Sequence, residues 1–264
     1  AHNIDCLITI YSTTRVSLAA FLSGIKYRLA PATKIAQIFY NHKLTQRRSR
    51  SQKPEYEYNL DLVKMFLKDH GIQGIANPEP PFLSFEQAQI NQLRDKFCHD
   101  MNIDKYKKLV FIHTGSGGSA NNLSIHQYAN LIKKLESSIG HISVLSAGPG
   151  EENSVEQLSR LLNDTPHVVY ISKEGLLRFA QHIAFADLFI AGSTGPLHIA
   201  GALNVPTAAF YTRRRSATPL RWQTLNTPER RLAFTPPETA DEMDMSQIDI
   251  EAAANEISEK FLNN

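Results

Sequence analysis

The sequence predicts an α/β protein built on parallel sheets, and three observations carry that reading. From Lys108 onward, short apolar runs alternate with amphipathic segments at the spacing of βαβ units. A β-branched apolar run, Ile4 to Tyr11, opens the chain as a buried strand and is followed at once by a helical pattern. Between these two regions, Asn77-Pro-Glu-Pro-Pro81 can be neither helix nor inner strand, because successive prolines fix φ and remove donors, so it reads as a linker. At 264 residues, 42% hydrophobic and 20% charged, the chain can bury one large core or two smaller ones, and disorder is excluded.

The elements follow in order. Thr13 or Thr14 caps a first helix that runs through Leu22 and closes at Gly24, and Lys26-Tyr27-Arg28-Leu29 is the next strand. Residues 43–53 hold five basic residues, no acid and no apolar periodicity, which predicts a loop, either simply solvated or in contact with anionic groups. Asn59 to His70 restores helical spacing, and Glu86 to Met101 is a polar helix beyond the linker. Strands are then expected at 109–113, 141–146, 167–171, 187–191 and 207–211, with helices at 124–137, 152–163, 175–184 and from 196 to Ala202. A Rossmann-like domain fits residues 105–235, and a last helix over 248–262 carries one apolar face through Ile250, Ala253, Ala254, Ile257 and Phe261.

Several classes of function drop out. No apolar run reaches the ~18–20 residues of a membrane-spanning helix, and the opening lacks the order of a secretory signal, which makes the cytosol the expected compartment. Cys6 and Cys98 form no metal-ligand or disulfide pattern and are expected as buried thiols. A net charge of +2 argues against nucleic-acid binding.

Ligands of parallel α/β sheets bind beyond the carboxyl ends of strands, so the turns there carry the chemistry. The first, HTGSGGSANN at 113–122, presents small residues whose backbone N–H groups can face an anion, but it has neither a Walker Gly-Lys-Ser/Thr nor GxGxxG spacing. The second, SAGPGEEN at 146–153, places carboxylates where they can accept from ribose hydroxyls or simply favour a helix dipole. The third is the most specific. Gly192-Ser193-Thr194-Gly195-Pro196 sets hydroxyls, glycines and a helix-starting proline where a diphosphate could meet a helix N-terminus, with His198 in the first turn.

Taken together, AGSTGPLHIAGALNVPTAAFY (191–211), the HTGSGGSAN and GPGEE turns, TPLRW (218–222) and LITIYSTTRVSLAAFLSGIKYR at the start closely resemble glycosyltransferase family 9. Members are ADP-heptose:lipopolysaccharide heptosyltransferases of GT-B architecture, α/β proteins of two facing Rossmann-like domains. The resemblance implies an N-terminal acceptor-side domain over residues 1–100, a C-terminal nucleotide-sugar domain over 101–240 and a C-terminal helix over 241–264. It implies an inverting, metal-independent transferase that needs no cofactor, placed at the cytoplasmic face of a Gram-negative inner membrane. The implied partners are an ADP-heptose donor and a phosphorylated, lipid-linked core oligosaccharide acceptor.

By the same resemblance Ser193, Thr194, Gly195 and His198 hold the donor phosphates, Thr114, Gly115 and Ser116 face them, and Glu151, or Glu152 one place on, holds the ribose. Arg15 matches a basic residue presented to acceptor phosphates, a role suited to bidentate guanidinium pairing. The chain departs from the family in two places. Nothing before Ile4 supplies the Gly-Asp turn that carries the family's general base, so ~50 residues of the N-terminal domain are expected to be absent, about a βαβ unit and more. His2, His42 and His113 are conceivable substitutes, none of them well placed. Asn121 stands where many members carry a lysine directed at the donor phosphates. The alternatives are another GT-B transferase with a different nucleotide sugar, or a nucleotide-sugar binding protein without turnover.

Overall fold

A computed structural model describes residues 3–33, 35–74, 76–115, 121–136 and 140–263. The chain divides into two compact units, residues 1–77 and 78–264.

The first unit has a three-stranded parallel sheet in the order β1 (Cys6–Ile8), β2 (Tyr27–Pro31), β3 (His42–Leu44). Helix α1 (Thr14–Leu22) begins where the Thr13 hydroxyl accepts from the Val16 N–H, and α2 (Glu55–Asp69) follows Pro54. The segment expected as a bare loop at 43–53 instead contains part of β3 and a 3-10 turn over Arg48–Arg50. Its charges are partly spent inside the unit. The Arg48 guanidinium pairs with Glu55 at 2.6 Å and lies over the Tyr58 ring, while Lys53 pairs with Asp61 and covers the same ring.

The second unit is a six-stranded parallel sheet in the order β6-β5-β4-β7-β8-β9. The strands are β4 (Lys108–His113), β5 (His141–Ala147), β6 (His167–Ile171), β7 (Leu188–Gly192), β8 (Thr207–Phe210) and β9 (Arg231–Phe234). Its helices are α3 (Gln87–Asp100), α4 (Ile125–Leu135), α5 (Glu152–Leu162), α6 (Leu176–Ile183), α7 (Gly195–Ala202) and α8 (Ile250–Ile257), the last continuing as a π turn over Ser258–Leu262. Because successive strand side chains point to opposite faces, β4 feeds both sides of the core. Val110 and Ile112 join α4, α5 and α8 on one face; Leu109 and Phe111 join α3, α6 and α7 on the other.

The family-implied domain of residues 1–100 would include helix α3, but it packs in the second unit, beyond the proline-rich linker. Ile90, Leu93 and Phe97 are buried in that core, and the Arg94 guanidinium donates to the carbonyls of Phe185 (2.7 Å) and Lys107 (3.0 Å) and pairs with Asp187 at 3.0 Å. The division therefore falls at 77/78 rather than at 100. The C-terminal helix expected as a separate element over 241–264 is also part of this unit, with Ala253, Ala254 and Ile257 buried in the α4 face of the core.

Candidate functional site

Strands β4, β5 and β6 are laid down in one direction, after which the chain returns to place β7 against β4 and continues to β8 and β9. That reversal lies between the carboxyl ends of β4 and β7, the place where open parallel sheets take their ligands.

Asn122 fixes one wall. Its side-chain amide donates to the Thr114 carbonyl (2.9 Å), and its Oδ1 accepts from the Tyr128 hydroxyl (2.6 Å) and the Leu123 N–H (2.9 Å). Burial holds the Tyr128 phenol well above its ordinary pKa, so it remains a donor. The clamp ties the turn after β4 to α4. It also presses against the end of β7, where a Cβ on Gly192 would lie 2.6 Å from Asn122 Oδ1.

Glu151 fixes a second wall. Its carboxylate accepts from the Gly148 N–H at 3.0 Å and lies 3.5 Å from Nε2 of His113. His113 is buried at the end of β4, with Nδ1 3.1 Å from the Ser146 carbonyl. Desolvation lowers its pKa, with the Glu151 charge opposing, so it stays neutral. Gly115 lies directly against the Glu151 carboxyl group, and a Cβ there would collide with it. Pro149, Leu176 and Phe179 complete a cavity of about 420 Å³ beside this carboxylate.

A second cavity of about 500 Å³ lies beyond β7 and β8, lined among others by Asn121, Ser193, His198, Thr212, Arg214 and Trp222. The two cavities share Thr194 and Gly195. Those residues form the N-terminus of α7, where N–H groups without intrahelical partners and the helix dipole favour an anion. The hydroxyls of Thr114, Thr194 and Thr212 are buried without a partner among the described residues, a state that costs free energy unless a polar group supplies one. Burial lowers the pKa of His198 and keeps it neutral, with its ring 6.1 Å from that of Trp222. Among the described residues, no group of three or more His, Cys, Asp and Glu is placed to hold a metal ion.

Of the residues singled out from sequence, Gly115, Glu151, Asn121, Ser193, Thr194, Gly195 and His198 line these two cavities, and Thr114 sits beside them in the clamp. Ser116 and His2 lie outside the described residues. Glu152 lines neither cavity and sits in the first turn of α5. Arg15 is exposed in the first turn of α1, beyond the carboxyl end of β1 in the other unit. His42 stands at the amino end of β3, paired with Asp69 at 3.2 Å and stacked on Tyr27. That is the end opposite to where such sheets take ligands. Sequence reading missed Asn122, Leu176, Phe179, Thr212 and Arg214. The Arg213-Arg214-Arg215 run just after β8 was the available signal for the last.

The profile of glycosyltransferase family 9 (heptosyltransferase) matches residues 2–242. The chain belongs to glycosyltransferase family 9. It is 47% identical over 259 residues to a Haemophilus influenzae protein named "Putative glycosyltransferase", a match spanning 98% of this chain and 75% of that one. Two solved structures share the fold. One is a family 9 glycosyltransferase from Veillonella parvula (TM-score 0.75, 15% identity, 98% of this chain and 74% of that one). The other is the E. coli ADP-heptose lipopolysaccharide heptosyltransferase II (TM-score 0.71, 15% identity, 98% and 76%). As a member of this family the protein is a glycosyltransferase of heptosyltransferase type, and its two parallel α/β units match the GT-B-like fold.

Proposed function

We propose that this family 9 glycosyltransferase transfers heptose from ADP-heptose to a phosphorylated, lipid-linked core oligosaccharide of lipopolysaccharide, with inversion and without a metal. The observation that supports the donor reading is the pair of unlike cavities joined at the N-terminus of α7. The first suits a nucleoside: Leu176, Phe179 and Pro149 offer apolar surface to a flat base, and the Glu151 carboxylate can accept from ribose hydroxyls. A diphosphate leaving that pocket meets the α7 N–H groups and the Thr194 hydroxyl. The sugar then falls in the second cavity, among Asn121, Ser193 and Trp222.

In the reaction an acceptor hydroxyl attacks the anomeric carbon and releases its proton to solvent, the bond from that carbon to the β-phosphate oxygen breaks with its electron pair going to the oxygen, and ADP departs. Negative charge grows on the β-phosphate as it leaves. Preorganised N–H dipoles and hydroxyls aimed at that position lower the barrier without reorganising. Arg15, on the first turn of α1 where the helix dipole is also positive, is assigned to phosphates of the acceptor. The acceptor's lipid places the enzyme at the cytoplasmic face of the inner membrane as a peripheral protein. No described helix is long and apolar enough to cross one.

The test is a transfer assay offering ADP-heptose and other nucleotide sugars with a deacylated inner-core acceptor, the product's anomeric configuration being read by NMR. Consumption of ADP-heptose alone, with inversion, is the expected outcome. Turnover of a UDP- or GDP-sugar in its place would overturn the donor assignment.

A further inference from the structure

Resting on the donor reading above, we infer that Arg214 is the cationic residue that binds the β-phosphate of the donor and stabilises it as the leaving group. The second cavity is polar but almost without charge. Among its described lining residues there is no carboxylate, His198 is neutral, and Asn121 brings no charge, so Arg214 is the one permanent cation. No described residue hydrogen-bonds to its guanidinium or forms an ion pair with it, and the side chain is exposed at the cavity wall. Its neighbour Arg213 is differently engaged, donating to the carbonyls of Ala240 (2.6 Å) and Glu238, with its backbone N–H on Glu242 (2.8 Å). Those bonds fasten the segment after β8 and leave Arg214 turned to the cavity.

A second observation in the same cavity points to an anion. Thr194 and Thr212 are each only 4% exposed, both line this cavity, and both carry a buried hydroxyl with no partner among the described residues. Thr194 is also the N-cap of α7, yet its side chain makes no capping bond, so the hydroxyl and the first N–H groups of the helix are both available to a ligand. Hydroxyl and N–H donors with a planar guanidinium in the same cavity make a phosphate-binding set. Because Ser193, Thr194 and Gly195 line the same cavity as Arg214, the cavity assigned to the sugar, the phosphate addressed is the one nearest the sugar. An exposed guanidinium at the rim can follow the β-phosphate as its bond to the sugar breaks.

The experiment titrates ADP and AMP into the intact chain and into Arg214→Ala and Arg214→Lys. Loss of Arg214 should weaken ADP about tenfold or more and leave AMP within about twofold, with partial recovery in the lysine variant. Turnover with ADP-heptose should fall about a hundredfold, since the charge matters most as the bond breaks. The unchanged AMP affinity serves as the check on folding. Equal losses for ADP and AMP, or no loss for either, overturn the proposal, as does an unchanged ADP affinity with a raised acceptor KM, which would assign Arg214 to the acceptor. If the intact chain binds UDP or GDP instead of ADP, the donor reading fails, and the same comparison of that diphosphate with its monophosphate still decides the role of Arg214.

Discussion

Glu151 and Gly115 act as a pair at the level of single residues. The carboxylate is held by the Gly148 N–H and occupies the space that a side chain at 115 would need. If it receives the ribose hydroxyls, ADP should bind about tenfold tighter than 2′-deoxy-ADP in the native chain, a hydrogen bond to a charged group being worth about 1.5–3 kcal/mol. Glu151→Gln should shrink that ratio towards one, as read by isothermal titration of the two nucleotides. Gly115→Ala should displace the carboxylate and have the same effect with the charge still present. The Gly-Pro-Gly turn followed by acids marked the place in the sequence but left Glu151 and Glu152 both open, and only the backbone sets Glu151 against Gly115 and Gly148. Asn122 was not legible either, because Asn121 and Asn122 are indistinguishable as letters, and only the backbone decides that Asn122 faces Thr114 and Tyr128. Arg214 was obscured in the same way within a run of three arginines.

The turn after β4 and the start of α7 are the elements on which the crevice depends, and Asn122 couples the first of them to α4. Asn122→Ala removes the acceptor of a fully buried tyrosine hydroxyl and frees the Thr114 carbonyl, so it should cost about 1–3 kcal/mol in urea denaturation as well as weaken nucleotide binding. Asn122→Ala in a Tyr128→Phe background should cost less than in the native chain, because no orphaned hydroxyl is then created. Helices and strands from β4 to β8 were readable because their apolar runs are long and their bounding turns rich in Gly and Pro. Two elements were not. β3 covers only His42–Leu44 and is mostly polar, and β9 covers only Arg231–Phe234, whose three apolar residues are too few to show a period. Their strand character comes from pairing, β3 with β2 and β9 with β8. The polar helix α3 was read beyond the linker from the sequence, whereas the family-implied bound at residue 100 put it with the first domain; Arg94 and the buried Ile90, Leu93 and Phe97 reveal which sheet it covers.

Across the whole molecule, stability should depend on pH in a direction set by desolvated histidines. Burial lowers the pKa of His113, His182 and His198 from the ordinary value of 6.5. As pH falls below that value, the unfolded chain takes up protons that the folded chain refuses, so stability is full above about 6.5 and declines below it. Urea midpoints at pH 7.5 and pH 5.5 should differ in that sense, and His182→Gln should reduce the difference. The division at 77/78 gives a further expectation, because every described residue assigned to the donor lies in the second unit. Arg15→Ala, in the first unit, should alter the acceptor KM or kcat and leave ADP affinity unchanged; a selective loss of ADP binding would reverse the assignment. The donor crevice at the start of α7 remains the centre of the functional reading, and isothermal titration of ADP into the native chain, Thr194→Ala and His198→Ala tests it most directly. Both substitutions should weaken ADP by more than about twofold; affinities that stay within that range, below about 0.4 kcal/mol, would contradict the assignment of the crevice to the donor.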